Sequence, residues 1–542
     1  MRQYFNTNNA PPDEDIEHLQ LFRNQASKEL SDLNTERVEL ERSILTMCGR
    51  IAEVRCLSTK KEFSLDLCHR ILSPLRRLPP EILGEIFLTC KDEASENPQK
   101  ILRRQPPSVL SQVCRSWRQV AINLPRLWDT FRVDYKPTTT FNPLSDHPLP
   151  LSRVIDIWAH RSKPLPMNIA IHSNHQFSGS RSMHPSLVTS LRNLSHRIRK
   201  LDIQTGLKSV LEPIFSLPAA EFPALESLQL CATEFGVWNS PITAFGASPK
   251  LRKVTLNIRP AHPFRIFLPW PQITHLDMLN AKEPMDLFTW GILIRSLLNL
   301  VQGRVRLAED TGVQDPFRDS LPHVNQSTEL TLPALNLLTI DFVHRLNSNG
   351  VPPFISPNLR VPALQHFHFS SGPHPFNWHP ALHETLAPQT LGQLKSLTLS
   401  RVRMGPDRLI DVLRMATSLE ELKFNSKDSN WDSRAWDNIY FLDTLSIKGA
   451  NANSGEPSDT FIAPRLRKIG LWVDGMRGEL LKSYASLIQA RRQGDPEGAD
   501  DFGVLLMLDK NRTDLIHAIA PLLVMRGSRG EKLVDVELVG VN

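Results

Sequence analysis

Apolar residues recur every seven positions in the first part of the chain. One series consists of Leu19, Ala26, Leu33, Leu40, Met47 and Val54, and a companion series on the same spacing consists of Leu30, Ile44 and Ile51. No proline interrupts the chain between Pro12 and Pro74. This pattern predicts a long helix of coiled-coil character over residues 15–74, preceded by a disordered N-terminus at 1–14.

Two interpretations of this helix are open, because Arg23 and Arg37 occupy positions of the companion series. Residues 19–57 can associate with a second copy of the helix through the apolar seam. Alternatively, the segment is a single amphipathic helix that folds back on its own chain.

A different pattern, L-x-x-L-x-L with aliphatic or aromatic substitutes, recurs from residue 198 onward. Its first positions are residues 198, 225, 251, 273, 300, 335, 364, 394, 419, 442, 466 and 533. Most of the spacings agree with leucine-rich repeats, in which a short strand and its return take roughly 20–29 residues. The pattern therefore predicts an α/β leucine-rich-repeat solenoid over residues 151–542, with a Pro/Thr-rich linker at 135–150.

In such a repeat the residues between the leucines point away from the core, because successive strand residues face opposite sides. This phase gives a concave surface that is polar and mixed in sign, which suits recognition of a protein. Its candidate substrate-facing residues are His366, His368, Glu421, Lys423, Lys468 and Trp472.

Residues 75–134 form a separate block that reads as two helices. The first begins at Pro79-Pro80 and carries an apolar stripe that includes Ile82 and Ile86, while the second begins near Pro107 and carries Val113. A module this small holds more apolar surface than it can bury by itself. The excess predicts a protein partner.

The residues of this block resemble the F-box. The matching segments are L-P-P-E-I-L-x-E-I-F from residue 78, V-C-R-x-W-R-x-V-A from residue 113, and L-W at 127. Together with the preceding helix and the trailing repeats, they are similar to the fungal F-box/leucine-rich-repeat family. The whole is then a multidomain chain: an N-terminal long helix, a small all-α F-box at 75–134 and the repeat solenoid.

The resemblance implies a non-catalytic substrate receptor of an SCF-type cullin–RING ubiquitin ligase. The F-box would bind the linker subunit and, through it, the cullin, and the repeats would hold an unknown protein substrate. The residues that match the docking positions are Leu78, Pro79, Ile82, Ile86, Val113, Cys114 and Trp117. The long, polar connection at 91–105 departs from compact members of the family.

Other functional classes find little support in the sequence. A net charge of +6 is too small for a dedicated polyanion-binding surface, and the 91–105 connection is longer than a helix-turn-helix allows, so we expect no nucleic-acid partner. No apolar stretch approaches the roughly 20 residues of a membrane helix, and with no secretory signal we expect a cytoplasmic or nuclear protein.

Catalysis and metal binding also lack a signature. The six cysteines form no C-x-x-C pair, and the histidines of 366–383 have no carboxylate or cysteine at metal-ligand spacing. Nucleophile, zinc-protease and phosphate-loop motifs are absent, so we expect no cofactor, no metal and no enzymatic activity. The alternative to a ligase subunit is a repeat scaffold that oligomerises through its N-terminal helix.

Overall fold

The computed structural model describes residues 10–95, 105–134, 151–173, 185–205, 208–232, 242–257, 266–280, 284–308, 330–343, 359–372, 376–378, 388–425, 438–450, 457–473, 478–494, 502–509, 514–526 and 532–539. The chain forms two compact units, Met1–Ile86 and Phe87–Asn542. Residues 1–9 of the segment that is predicted to be disordered, 1–14, lie outside the described residues. The predicted linker at 135–150 lies outside them entirely.

The first unit consists mainly of one long helix, α1 (Asp13–Ile71). Its first turn carries Asp13, Glu14 and Asp15 and its last turn His69 and Arg70, so both ends complement the helix dipole. Fifty-nine residues correspond to a length of about 88 Å. The predicted long helix is therefore confirmed. No residue along it is buried.

The second unit is a parallel α/β arrangement. The bounds of the α-helices and strands follow, and α2 begins in the first unit and ends in the second. The helices of the described residues after α1 are α2 (Pro80–Ser95), α3 (Pro106–Val113), α4 (Arg115–Ile122), α5 (Leu151–Arg161), α6 (Pro185–Leu194), α7 (Lys208–Phe215), α8 (Leu287–Ser296), α9 (Pro388–Gln393), α10 (Pro406–Met415), α11 (Asn438–Ser446), α12 (Gly478–Gly494) and α13 (Asp514–Leu523). The strands are β1 (Thr130–Asp134), β2 (Met167–Ser173), β3 (Ile198–Thr205), β4 (Ser227–Ala232), β5 (Lys253–Asn257), β6 (His275–Met278), β7 (Met285–Asp286), β8 (Gln302–Ala308), β9 (Leu330–Thr331), β10 (Leu337–Val343), β11 (Leu359–Arg360), β12 (His366–Ser371), β13 (Phe376–Asn377), β14 (Ser396–Ser400), β15 (Val402–Arg403), β16 (Glu421–Asn425), β17 (Lys448–Ala450), β18 (Pro457–Phe461), β19 (Lys468–Trp472), β20 (Gly503–Asp509) and β21 (Val534–Val539).

The main sheet is parallel, and its strands lie in the order in which they occur in the chain. That order is β1-β2-β3-β4-β5-β6-β8-β10-β12-β14-β16-β19-β20-β21, with β7 paired to β8 at the side. Burial alternates along most strands: in β10, Leu338, Ile340 and Phe342 are buried, whereas the residues between them are half-buried. One face of the sheet therefore packs into the core, and the other is more accessible.

The repeat pattern predicts most of these strands correctly. Eleven of the twelve L-x-x-L-x-L segments place their last two apolar residues on a strand of the main sheet. The prediction of a strand at 442–447 is wrong, because residues 442–446 belong to helix α11. This helix buries Leu442 and Leu445, and Ile447, directly after it, is exposed. Among the strands of the main order, β1, β2 and β20 have no counterpart in the prediction, and the short strands β7, β9, β11, β13, β15, β17 and β18 have none either.

The 75–134 block differs from the predicted pair of helices in two respects. Its second helix is interrupted at Cys114, whose backbone is extended (φ −157°) and whose sulfur accepts a hydrogen bond from the Trp117 N–H at 3.4 Å, capping α4. The block is also not entirely helical, since its last five residues form β1 and pair with β2 in parallel. Buried Phe131 anchors this strand in the core.

Candidate functional site

Helix α2 separates its apolar side chains into a buried set and an exposed set. Leu83 and Phe87 are buried, whereas Ile82 is 52% exposed and Ile86 is 39% exposed. Residues four apart lie on the same face of a helix, so each pair forms its own stripe. The exposed stripe leaves two isoleucines in water, at the positions that the sequence predicts for docking.

The other predicted docking residues vary in exposure. Pro79 and Cys114 are exposed, Val113 is 56% exposed, and Leu78 and Trp117 are half-buried. The Trp117 ring lies 5.0 Å from the Phe87 ring at 57°, so part of its surface contributes to the core. None of the seven residues is fully buried.

The rest of the block fixes these helices to the start of the sheet. The Lys91 ammonium, on α2, donates to the Arg126 carbonyl and forms an ion pair with Asp129, just before β1. The Arg118 Nε donates to the Ser111 carbonyl at 2.8 Å and thereby joins α4 to α3. These contacts hold the C-terminal half of α2, α3, α4 and β1 as one body within the second unit.

A second candidate surface is the accessible side of the main sheet, which we call the open face. It consists of the outward residues of each strand, aligned across the sheet by the parallel register. One row contains Asp277, Arg304, Thr339, His368, Thr398, Lys423 and Gly470. Five of the six predicted substrate-facing residues lie on the open face with at least partial exposure, namely His366, His368, Glu421, Lys423 and Lys468.

Ion pairs between neighbouring strands cross the open face. Arg304 lies 2.9 Å from Asp277, and Arg306 lies 3.2 Å from Asp341. Sequence reasoning did not include the two arginines, because the segment at 300–307 breaks the repeat spacing. The carboxylate of Glu421 lies 3.7 Å from the Lys423 ammonium and 4.0 Å from that of Lys468. Because one carboxylate lies between two ammonium groups, this part of the face has an excess of positive charge.

A hydrogen-bonded chain at the start of the open face was also missed. The Arg132 guanidinium donates to His172 Nδ1 at 2.8 Å, and His172 Nε2 lies 3.1 Å from Asp202. Since Arg132 only donates, Nδ1 is the acceptor and Nε2 carries the proton that Asp202 accepts. These residues lie on β1, β2 and β3, so the chain connects the strand of the 75–134 block to the rest of the sheet. The alternating pattern of residues 130–134 is the sequence signal for it.

Trp472 does not present its ring to solvent as predicted. It is 4% exposed and forms an apolar cluster with Leu505 and Met507 of β20. The register places it directly opposite Met507. The outward positions of Trp472, Leu505 and Met507 therefore form an apolar patch, which the sequence analysis could not anticipate because it did not predict β20.

His368 makes the open face sensitive to pH. Burial lowers the pKa of His368 below its ordinary value, the nearby His366, Lys423 and Arg304 lower it further, and Glu421 opposes them. Between this lowered pKa and the ordinary histidine value of about 6.5, the unfolded chain binds a proton that the folded chain does not. Stability should thus fall as the pH decreases through that window.

We expect His368→Gln to remove this part of the pH dependence. The urea midpoint of the wild-type chain should decrease more between pH 8 and pH 5 than that of the variant. His196→Gln, which changes an exposed histidine, is the matched control and should retain the wild-type dependence. Equal slopes for wild type and His368→Gln would contradict the prediction.

The described residues contain no recognisable metal site. No group of three or more histidine, cysteine or acidic residues is placed to hold a metal ion within them, and residues 373–375 and 379–387 of the histidine-rich stretch lie outside them. The six cysteines are free thiols. Across the described part of the chain, no helix combines the length and the apolar character needed to cross a membrane.

Two buried polar side chains serve the packing of the C-terminal part. Burial lowers the pKa of Arg491 to about 10, and its guanidinium donates to the carbonyls of Ala463 and Ile462 at 3.0 and 2.6 Å. It also lies 4.7 Å from the ring centre of Phe461. Burial raises the pKa of Tyr484. Arg491 and Tyr484 are both buried, so we assign both to the core.

Comparison with known proteins identifies no relative. The sequence matches no protein-family model, and no curated protein is similar enough to count as a match. The geometry of the two candidate surfaces is therefore the basis for assigning a function.

Proposed function

We propose that this chain is the non-catalytic substrate-recognition subunit of an SCF-type cullin–RING ubiquitin ligase. In this proposal the 75–134 block is an F-box that binds the linker subunit. The later strands are leucine-rich repeats, and their open face binds the protein to be ubiquitinated. The chemistry then belongs to the partner subunits, and this chain supplies positioning.

The observation that carries the proposal is the exposure of aliphatic side chains at the motif positions. Ile82, Ile86 and Val113 remain in water, although neighbouring Leu83 and Phe87 are buried. Isolated exposed apolar residues are common, but these occur within a motif whose resemblance assigns the same positions to a partner. The exposure of these three residues supports a binding role for the motif.

The open face supports the second half of the proposal. It carries cations, anions and hydroxyl groups in aligned rows, as at the exposed Arg304, the half-buried Asp277 and the buried Ser396. Side chains held by cross-strand pairs are preorganised for polar contacts with a protein. The face is mixed in sign, which favours a protein partner over a polyanion.

The test is co-purification of the full chain with the ligase linker subunit and cullin. The wild-type chain should recover both, whereas Leu78→Lys/Ile82→Lys should recover neither, because two charges would enter an apolar contact without partners. Ile86→Lys and Val113→Lys test the two helices separately, and each should reduce recovery at least tenfold.

Two control variants separate docking from folding and from substrate binding. Val524→Lys places the same charge at an exposed aliphatic residue outside the block and should leave recovery unchanged. Lys423→Glu alters the open face and should also retain the linker subunit. The proposal is wrong if the double variant recovers as much linker subunit as the wild type, or if the wild type recovers none. The second outcome would favour the scaffold alternative.

A further inference from the structure

The long helix α1 exposes an apolar seam along its length. The seam consists of the two heptad series, and its central members Leu40 and Ile44 are 58% and 60% exposed. No residue of α1 is buried. Alternating three- and four-residue spacing is the arrangement by which helices pack side by side. The seam thus fits another helix with the same repeat.

We propose that two copies of this chain pair in antiparallel orientation through residues 30–54 of α1. The partner helix is α1 of a second copy, because the charges of two α1 helices are complementary in this orientation. This inference does not depend on the proposed function, because it concerns a segment outside the 75–134 block.

A parallel pair would bring like charges together at three levels. In parallel coiled coils each core position faces the same residue of the other helix, so Arg37 would face Arg37. The flanking positions pair five residues apart, which places Glu36 beside Glu41 and Arg50 beside Arg55. All three contacts are repulsive.

The antiparallel pair avoids all three of these contacts, and it retains one like-charge contact, between the two copies of Glu41. Its core layers join Leu40 to Ile44, Leu33 to Ile51, and Leu30 to Val54 of the second copy, each layer occurring twice. The residues of these layers all belong to the seam, and in chain order they are Leu30, Leu33, Leu40, Ile44, Ile51 and Val54.

The charged residues agree with the same antiparallel register. Arg37 faces Met47 of the second copy, and Glu36 faces Arg50 of the second copy on both sides of the dyad. Glu41 meets its own counterpart near the dyad. Within each helix it lies 3.7 Å from Arg37, so two arginines flank the two carboxylates.

The first test is the mass of the full chain by light scattering. The wild-type chain should be a dimer, and Ile44→Asp should be a monomer over the same concentration range. Leu45→Asp is the matched control, because Leu45 is exposed and adjacent but lies outside the seam, and it should remain dimeric. A wild-type monomer, or a wild-type trimer or tetramer, would overturn the proposal.

The second test distinguishes the two orientations by a change of sign. Glu36→Arg should weaken an antiparallel dimer roughly tenfold, since it places two arginines beside each other at two sites. The double variant Glu36→Arg/Arg50→Glu should restore the affinity. In a parallel dimer Glu36→Arg would remove a repulsion and strengthen association, which contradicts the proposal.

Thiol crosslinking of the full chain checks the register. In a chain with Cys48, Cys56 and Cys68 changed to serine, Ser43→Cys should crosslink with a short bis-maleimide, because residue 43 lies at the dyad. Val54→Cys should not crosslink, since the two thiols would lie about 36 Å apart along the axis. Crosslinking at residue 54 and not at residue 43 would show the parallel pair and overturn the proposal.

Discussion

Replacing Trp128 with alanine is expected to destabilise the second unit by about 3–5 kcal/mol, as for other fully buried tryptophans. The Trp128 ring is buried and packs against Trp158 with ring centres 4.7 Å apart at 73°. Its indole N–H donates to the Ala121 carbonyl at 2.6 Å. The Arg161 guanidinium lies 4.4 Å from the ring centre. The substitution removes all three interactions and leaves a cavity between α4 and α5.

Urea unfolding followed by circular dichroism measures this loss, and hydrogen exchange of the β1 amides locates it. Trp128→Phe is the informative control, because it retains an aromatic ring but loses the N–H donor, and it should cost about a third as much. A Trp128→Ala chain with the wild-type midpoint and unchanged protection of β1 would contradict this account of the α4–α5 contact.

Replacing Arg197 with alanine is expected to cost about 2–4 kcal/mol, because it leaves buried carbonyls without a donor. The guanidinium donates to the Ala159 carbonyl at 2.9 Å, to the Leu165 carbonyl at 2.7 Å and to the Ser162 hydroxyl at 2.9 Å. It thereby supplies hydrogen-bond donors to the acceptors at and just after the C-terminal end of α5. Burial lowers the pKa of Arg197, which reflects the desolvation of the charge.

Arg199, two residues further along β3, supplies a matched control for Arg197. It is exposed and makes one long hydrogen bond, to Asn168 at 3.4 Å, so Arg199→Ala should change the unfolding free energy by less than about 0.5 kcal/mol. Arg197→Lys should recover only part of the loss, since a single ammonium cannot reach all three acceptors. Similar midpoints for Arg197→Ala and Arg199→Ala would contradict the predicted role of Arg197.

The pattern of the sequence predicts the long helix and most strands, because burial on one side imposes a visible period. The seven-residue series marks α1, and the L-x-L alternation marks strands such as β10. These are features of single elements, and each can be read locally. The prediction was wrong where the spacing of the apolar residues fits both a helix and a repeat strand. Leu442 and Leu445 are three residues apart, a spacing that suits a helix as well as a repeat, and neighbouring Phe441 is also buried.

Strand β20 shows why another part of the fold could not be predicted. Its residues Val504 to Leu508 are buried without alternation, so the period-two signal is missing. The exposure of Trp472 was therefore misjudged, since its cover comes from Leu505 and Met507 on that strand. The sequence places Ile82 and Ile86 on the same apolar stripe as Leu83 and Phe87, and it was the resemblance to the F-box that singled out the two isoleucines, which the structure leaves exposed.

The pairing of each strand with its predecessor in the chain has a consequence for synthesis. Apart from β7, every strand of the main sheet after β1 pairs with a strand that is already translated, so the order of production on the ribosome is the order of assembly. Strand β1, at the end of the 75–134 block, is the first template, and each later strand extends the edge that the previous one leaves. A nascent chain can therefore build this sheet progressively, without waiting for its C-terminus.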